Sequence, residues 1–221
     1  MTKFFYISLL LGLIIYLIVL GYIYFFQRNL LYHPSVNGYQ NDEANFDYVE
    51  VLIQNNEGIK LKAWLHEKDL INKKTILFFH GNAGNLANRN YKLNELSKFD
   101  VNFLIVAYRG FSNNHGKPTE KGLYEDAKSS LDWLKLKGVK EKNLILYGES
   151  LGTAVAIETA QNKNLAGIIL ESPFTSMLEL AQKYYPVLPV KFLLKDKYET
   201  VNKLPNVTSP ILVLHGKLDA I

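Results

Sequence analysis

No cysteine occurs in the 221 residues. That absence excludes disulfides, a thiolate nucleophile and cysteine-ligated zinc. It fits any redox compartment and so does not locate the chain. Runs of one charge are missing as well. Lysine, aspartate and glutamate are scattered, no basic tract goes beyond the pair Lys73-Lys74, and the formal charge is only +4. A solvated surface accounts for that pattern, and nucleic acid is not an expected partner. The chain also lacks internal repeats and low-complexity segments.

What is present begins at the amino terminus. Apolar residues make up 48% of the chain, which suits one domain with something extra. The extra part is Phe4 to Phe26, 23 residues without a charge. Such a stretch is long enough to cross a hydrocarbon layer of about 30 Å as a helix. Tyr6, Tyr22 and Tyr24 lie near its ends, where an amphipathic ring is comfortable. A cleaved leader would have a shorter apolar core and a small-residue cleavage site, but Tyr-Ile-Tyr-Phe-Phe-Gln-Arg follows instead. The expectation is an uncleaved single-pass anchor in residues 1–27, with the lipid bilayer as partner through residues 4–26. Lys3 and Arg28 bracket it so evenly that the side of the membrane stays open.

Residues 28–45 read as an irregular connector, with Pro34 and Gly38. β patterns follow. Phe46 to Ile53 and Gly58 to Leu65 alternate apolar and polar, with Asn55-Asn56-Glu57-Gly58 between them, so an edge hairpin is expected. Five apolar runs then lack alternation, starting at Thr75, Val101, Asn143, Ala166 and Ile211. Runs of that kind suit parallel strands buried on both faces. Helical stretches lie between them. In one, about Thr119 to Lys137, Leu123, Ala127, Leu131 and Leu134 share a face. Alternating strands and helices predict a doubly wound, mostly parallel α/β sheet. Pro186, Pro189 and Pro205 interrupt the rhythm over 173–208, which reads as a cap or an irregular helical excursion.

Three motifs carry chemistry. Gly148-Glu149-Ser150-Leu151-Gly152 follows a buried strand and opens a helix-like run. A sharp strand-to-helix turn of this type exposes a serine Oγ, beside which the helix points its dipole and free amides. Ser150 is therefore the expected nucleophile. The rival reading is a glycine-rich turn with a capping serine. His80-Gly81-Asn82-Ala83-Gly84-Asn85 ends the first buried strand, where small residues let backbone approach a substrate carbonyl. The backbone amides of Asn82 and Leu151 are the expected oxyanion hole. His215-Gly216-Lys217-Leu218-Asp219 follows a late strand, and Asp219 fits the acid that orients an imidazole. Glu171 is a rival acid, less favoured by chain order.

Taken in order, these residues resemble the membrane-anchored α/β hydrolases of the bud-emergence-protein type, relatives of prolyl-oligopeptidase-like and lysophospholipase-like serine hydrolases. The resemblance covers nearly everything after the anchor. It rests on Arg28-Asn-Leu-Leu-Tyr-His-Pro, His80-Gly-Asn-Ala-Gly-Asn, Tyr108-Arg-Gly-Phe, Gly148-Glu-Ser-Leu-Gly, Leu170-Glu-Ser-Pro-Phe-Thr-Ser, Tyr185-Pro-Val-Leu-Pro-Val and Leu214-His-Gly-Lys-Leu-Asp. It implies an α/β-hydrolase fold over 46–221, a nucleophile at Ser150, an acid at Asp219 and an oxyanion hole at Asn82 and Leu151. It departs after Tyr108-Arg-Gly-Phe, where Ser112 and Asn114 stand in place of the family's usual Gly and Ser.

The family also carries a last helix, a last strand and a loop with the catalytic histidine, which the expected fold here lacks. The histidines present are His33, His66, His80, His115 and His215. His66 is expected at the surface, and His80 and His215 as local structural residues. The function expected is acyl transfer to water from a small-molecule ester, thioester or amide, with no metal and no organic cofactor. The alternative is an inactive truncated hydrolase or a binding module on the same scaffold, or a second polypeptide that supplies the missing end.

Overall fold

The computed structural model describes residues 2–35 and 44–217. Helix α1 (Thr2–Leu31) opens the chain. It continues past Phe26 through Gln27 to Leu31, residues read above as flank and connector. The reason is local: no breaker occurs before Pro34, whose ring disfavours helix at the preceding His33. Alpha-helical length and composition suit a membrane span, and none of its most apolar window is buried against the rest of the chain.

Seven strands form one sheet. They are β1 (Val49–Gln54), β2 (Lys60–His66), β3 (Thr75–Phe79), β4 (Asn102–Val106), β5 (Leu144–Glu149), β6 (Gly167–Glu171) and β7 (Ile211–Leu214). Their order across the sheet is β1-β2-β4-β3-β5-β6-β7. The hairpin pairs Val49 with Leu65 and Gln54 with Lys60, antiparallel, and β2 runs antiparallel to β4. All other neighbours are parallel. The expected doubly wound, mostly parallel sheet is thus present.

Every residue of β3 and β4 is buried, as continuous apolar runs require. One expectation fails. His66 is buried, because β2 is an inner strand; its ring stacks on Phe103 at 4.8 Å, and its Nδ1 pairs with the Asp47 carbonyl at 2.6 Å. Among the described residues, strand β7 lies at the sheet edge, with its four residues 40–54% exposed.

Helices α2 (Asn90–Ser97), α3 (Glu120–Leu136) and α4 (Leu151–Ala160) connect the strands. Thr119 caps α3, its Oγ1 accepting from the Gly122 amide at 2.9 Å, and Leu123, Ala127, Leu131 and Leu134 are its buried face. Two short helices, α5 (Met177–Tyr184) and α6 (Val190–Leu193), lie in the excursion after β6. The chain order reverses direction across the sheet at β3: β4 lies on one side and β5 on the other. In open α/β sheets the crevice for a ligand forms at the carboxyl ends of the strands at such a switch.

Candidate active site

Register sets the two loops of this crevice side by side. Phe79 at the end of β3 is opposite Gly148 of β5. His80–Asn85 therefore follows one strand at the level where Ser150 follows the other. Ser150 has φ 50° and ψ −115°, a sparsely populated backbone that costs about 1–3 kcal/mol. Its neighbours explain how the turn is held. The Ser150 amide donates to the Glu171 carbonyl at 2.8 Å, and the amide and hydroxyl of Thr153 donate to the Ser150 carbonyl at 2.9 and 2.6 Å. A Cβ on Gly148 would come within 2.5 Å of the Gly152 carbonyl oxygen; one on Gly152 would come within 2.0 Å of the Phe79 carbonyl oxygen. Only glycine fits either place.

The Ser150 side chain makes no capping hydrogen bond to α4. That removes the ground for reading it as a capping serine. Leu151 is the first residue of α4, so its amide has no acceptor within the helix. Asn82, Ser150 and Leu151 all line one cavity of about 410 Å³. Asn82 is turned by the end of α1. Its side-chain amide donates to the Leu31 carbonyl at 2.7 Å, and its own carbonyl accepts from the His33 amide at 2.8 Å. A two-residue parallel bridge, His33–Pro34 with Ala83–Gly84, completes the tie.

Behind the crevice lies a network that sequence reasoning missed. Glu149 accepts from Arg89 Nη2 at 3.2 Å and from Lys92 Nζ at 3.0 Å. Lys92 also donates to Glu171 at 2.5 Å, and the Tyr147 hydroxyl donates to the same Glu171 oxygen at 2.6 Å. Arg89 Nη1 holds the Ala83 carbonyl at 2.8 Å. One set of ion pairs thus joins the loop after β3 to the turn after β5. Burial opposes the Lys92 charge, but its bonds to Glu171 and Glu149 outweigh that and raise its pKa. Burial, aided by Glu171, raises that of Tyr147. Glu171 is engaged here through its side chain. The only sequence hint was a charged residue inside the serine motif.

Ser112 takes φ 50° and its Oγ accepts from the Leu86 amide at 3.2 Å. A left-handed position there accounts for the glycine that the resemblance leads one to expect. Asn114 reaches back to the Ala107 and Tyr108 carbonyls at 2.9 and 3.3 Å, so the loop keeps its closure.

Asp219 lies outside the described residues. None of the five histidines lines the cavity. His33 and His115 are exposed. His80 is fully buried, its Nδ1 2.7 Å from the Gly81 carbonyl and its ring packed on Tyr108 and Phe111. Burial, with Arg89 nearby, pushes its pKa down to about 3. Among the described residues no group of three or more His, Asp and Glu side chains could hold a metal ion.

The remaining walls of the cavity come from α1 and from the excursion after β6: Ile23, Gln27 and Leu31 on one side, Met177, Leu180 and Leu193 on the other. These walls are largely apolar, with Gln27 and Asp196 as the polar exceptions. A strained serine between two glycines, the first amide of α4 and the loop after β3 thus share one largely apolar cavity.

Comparison with known proteins shows the family. The sequence model of a family described as serine aminopeptidase, S33 (Hydrolase_4) matches residues 71–194. The chain belongs to this α/β-hydrolase family. An uncharacterized protein of Mycobacterium tuberculosis (strain CDC 1551 / Oshkosh) is 32% identical over 206 residues, covering 92% of this chain and 73% of that protein. Alpha/beta hydrolase domain-containing protein 17B of Homo sapiens is 34% identical over 153 residues, covering 67% of this chain and 51% of that protein. A solved α/β hydrolase from Vibrio vulnificus superposes with a TM-score of 0.66 at 25% identity, over 77% of this chain and 64% of that one. The chain thus spans less than two thirds of that solved structure and about half of the human relative.

Proposed function

We propose that this chain is a membrane-anchored serine hydrolase of the bud-emergence-protein type, acting on an ester, thioester or amide. Ser150 Oγ attacks the acyl carbonyl and forms the acyl-enzyme, while an imidazole takes its proton and hands it to the leaving group. Water then cleaves the acyl-enzyme by the reverse proton path. The backbone amides of Asn82 and Leu151 hold the oxyanion, a contribution worth about 10²–10³ in rate per donor. Asp219 is the proposed partner of the imidazole. No metal and no organic cofactor takes part. Residues 1–27 are the proposed anchor, 28–45 the connector and 46–221 the hydrolase domain, with 173–208 as its cap.

The observation that carries this reading is the Ser150 turn: a positive φ held between two glycines that admit no Cβ, beside the cavity that Asn82 and Leu151 also line. A second reading, a hydrolase scaffold without turnover, draws on the histidines, none of which reaches that cavity. A fluorophosphonate serine probe separates the two. Labelling of the 221-residue chain at an enzymatic rate, abolished by Ser150→Ala, supports the hydrolase. Equal background labelling of both proteins sinks it.

A further inference from the structure

Helix α1 does not stand apart from the domain. A helical stripe of Tyr16, Ile23, Gln27 and Leu31 faces it. The Tyr16 hydroxyl donates to the Val187 carbonyl at 3.0 Å. Gln27 Nε2 donates to the Leu193 carbonyl at 2.9 Å, and Gln27 Oε1 accepts from the Lys195 amide at 2.8 Å. Arg28 grips Asp196 with two bonds of 2.8 and 3.0 Å.

That docking has a consequence for depth. From Phe4 to Tyr16 the helix rises only about 18 Å, well short of a hydrocarbon layer of about 30 Å. From Phe4 to Phe26 it rises about 33 Å, which matches. If α1 spans a bilayer, the layer reaches past Tyr16 toward Phe26, and the segment that touches Tyr16 must share it. The outward face of that segment is suited to lipid. Val187 and Phe192 are 79% and 83% exposed, and Tyr184 and Tyr185, which also line the cavity, are 52% and 58% exposed. A cluster of that kind is uncommon on a wet surface. The polar Tyr16 hydroxyl would lack water at this depth, and the Val187 carbonyl satisfies it. Lys195 lies over the Tyr24 ring at 4.0 Å, one helical turn before Arg28, so both cations sit near the expected headgroup level, where long side chains reach out.

We propose that the cap segment Met177–Leu194 inserts into the bilayer beside α1, so that the cavity between them opens to the hydrocarbon and takes an acyl chain from the lipid leaflet. The anchor is then a wall of the acyl-binding site as well as a tether. This rests on the anchor reading, and for the fate of the acyl chain on the Ser150 reading. Its chemistry follows from the cavity: largely apolar walls from α1 and the cap, with Gln27 and Asp196 as polar exceptions, share one lining with Ser150, Asn82 and Leu151. A lipid-borne acyl group entering from the leaflet stays out of water until its carbonyl meets the serine.

The absence of cysteine allows a clean test on the full chain in phosphatidylcholine vesicles. Single labels are placed by Val187→Cys, Phe192→Cys, Leu10→Cys and Asp132→Cys, each carrying an environment-sensitive fluorophore. The inference predicts that labels at 187, 192 and 10 are quenched by nitroxide-bearing lipids and shielded from aqueous iodide, while the label at 132 shows the reverse. Iodide quenching at 187 and 192 equal to that at 132, with position 10 in lipid, overturns cap insertion and leaves the anchor intact. Iodide access at position 10 as well means that the anchor reading itself has failed. A phospholipid with a diazirine at its acyl terminus tests the cavity without any need for turnover. Crosslinks are expected to Leu180 and Ile23 inside it and to fall several-fold in Ala181→Trp, which fills the space. Crosslinks confined to Val187 and Phe192, unchanged by Ala181→Trp, overturn acyl entry. Crosslinking as expected without fluorophosphonate labelling fails the Ser150 reading alone.

Discussion

The side-chain amide of Asn82 donates to the Leu31 carbonyl across 2.7 Å, joining the loop proposed to hold the oxyanion to the last residue of the amino-terminal helix. Asn82→Ala keeps the backbone amide and removes this tie. A neutral hydrogen bond contributes about 1 kcal/mol to stability, so the fold survives. The loop loses its fixed distance from Ser150, and small misplacements of that kind can cost about 10²-fold in rate. The expected result is a drop in kcat with little change in KM and a melting temperature close to the parent's.

Gly152→Ala should do more harm to less of the surface. Its Cβ would lie 2.0 Å from the Phe79 carbonyl oxygen, so either α4 or β3 must move. Overpacking typically costs about 1–3 kcal/mol, and here the obstacle is backbone on both sides. Urea denaturation should show a loss at or above the top of that range. Serine-probe labelling should fall even in the fraction that remains folded, because the Ser150 turn opens.

Lys92→Met leaves the half-buried carboxylates of Glu149 and Glu171 facing each other without their shared cation. Removing one partner from a buried ion pair costs about 3–5 kcal/mol, and the partial exposure of this set scales that down to about 1–3 kcal/mol. Glu171→Gln on the same background should recover part of the loss, because it removes the uncompensated charge. A double-mutant cycle by urea denaturation measures the coupling.

Acid should weaken the fold through His80. Its pKa falls from 6.5 to about 3 on folding, chiefly because burial penalises the charged ring. Below pH 6.5 the unfolded chain takes up a proton that the folded chain refuses. The contribution is therefore intact above that pH and is lost progressively as pH falls toward 3. The limiting slope is about 1.4 kcal/mol per pH unit. His80→Phe has no such proton to bind, and its urea midpoint should fall less steeply between about pH 7 and about pH 5. An equal slope in both proteins would assign the acid sensitivity to other groups.

Features set by short stretches of chain were legible in the sequence. The apolar run of α1, the period of α3 and the unbroken apolar strands each depend on neighbours within a few residues. The same holds for the Ser150 turn, since its glycines lie two residues away on either side. Burial and depth were another matter. His66 looked like a surface residue because alternation shows which face is wet only once the covering strand is known, and β1 with its lead-in covers it.

The sequence by itself thus determined the class of fold and singled out Ser150, for both follow from local pattern and steric demand. Only the tertiary structure decided what surrounds that serine. In the sequence Arg28 only brackets the apolar run; the fold pairs it with Asp196, and Gln27 with the Lys195 amide. Their pairing joins residues 168 apart in the chain. It makes α1 a wall of the cavity, and it places Asn82 against Leu31. Contacts at that separation leave no periodic trace in a single sequence, because they are selected by where the sheet and the cap come to rest.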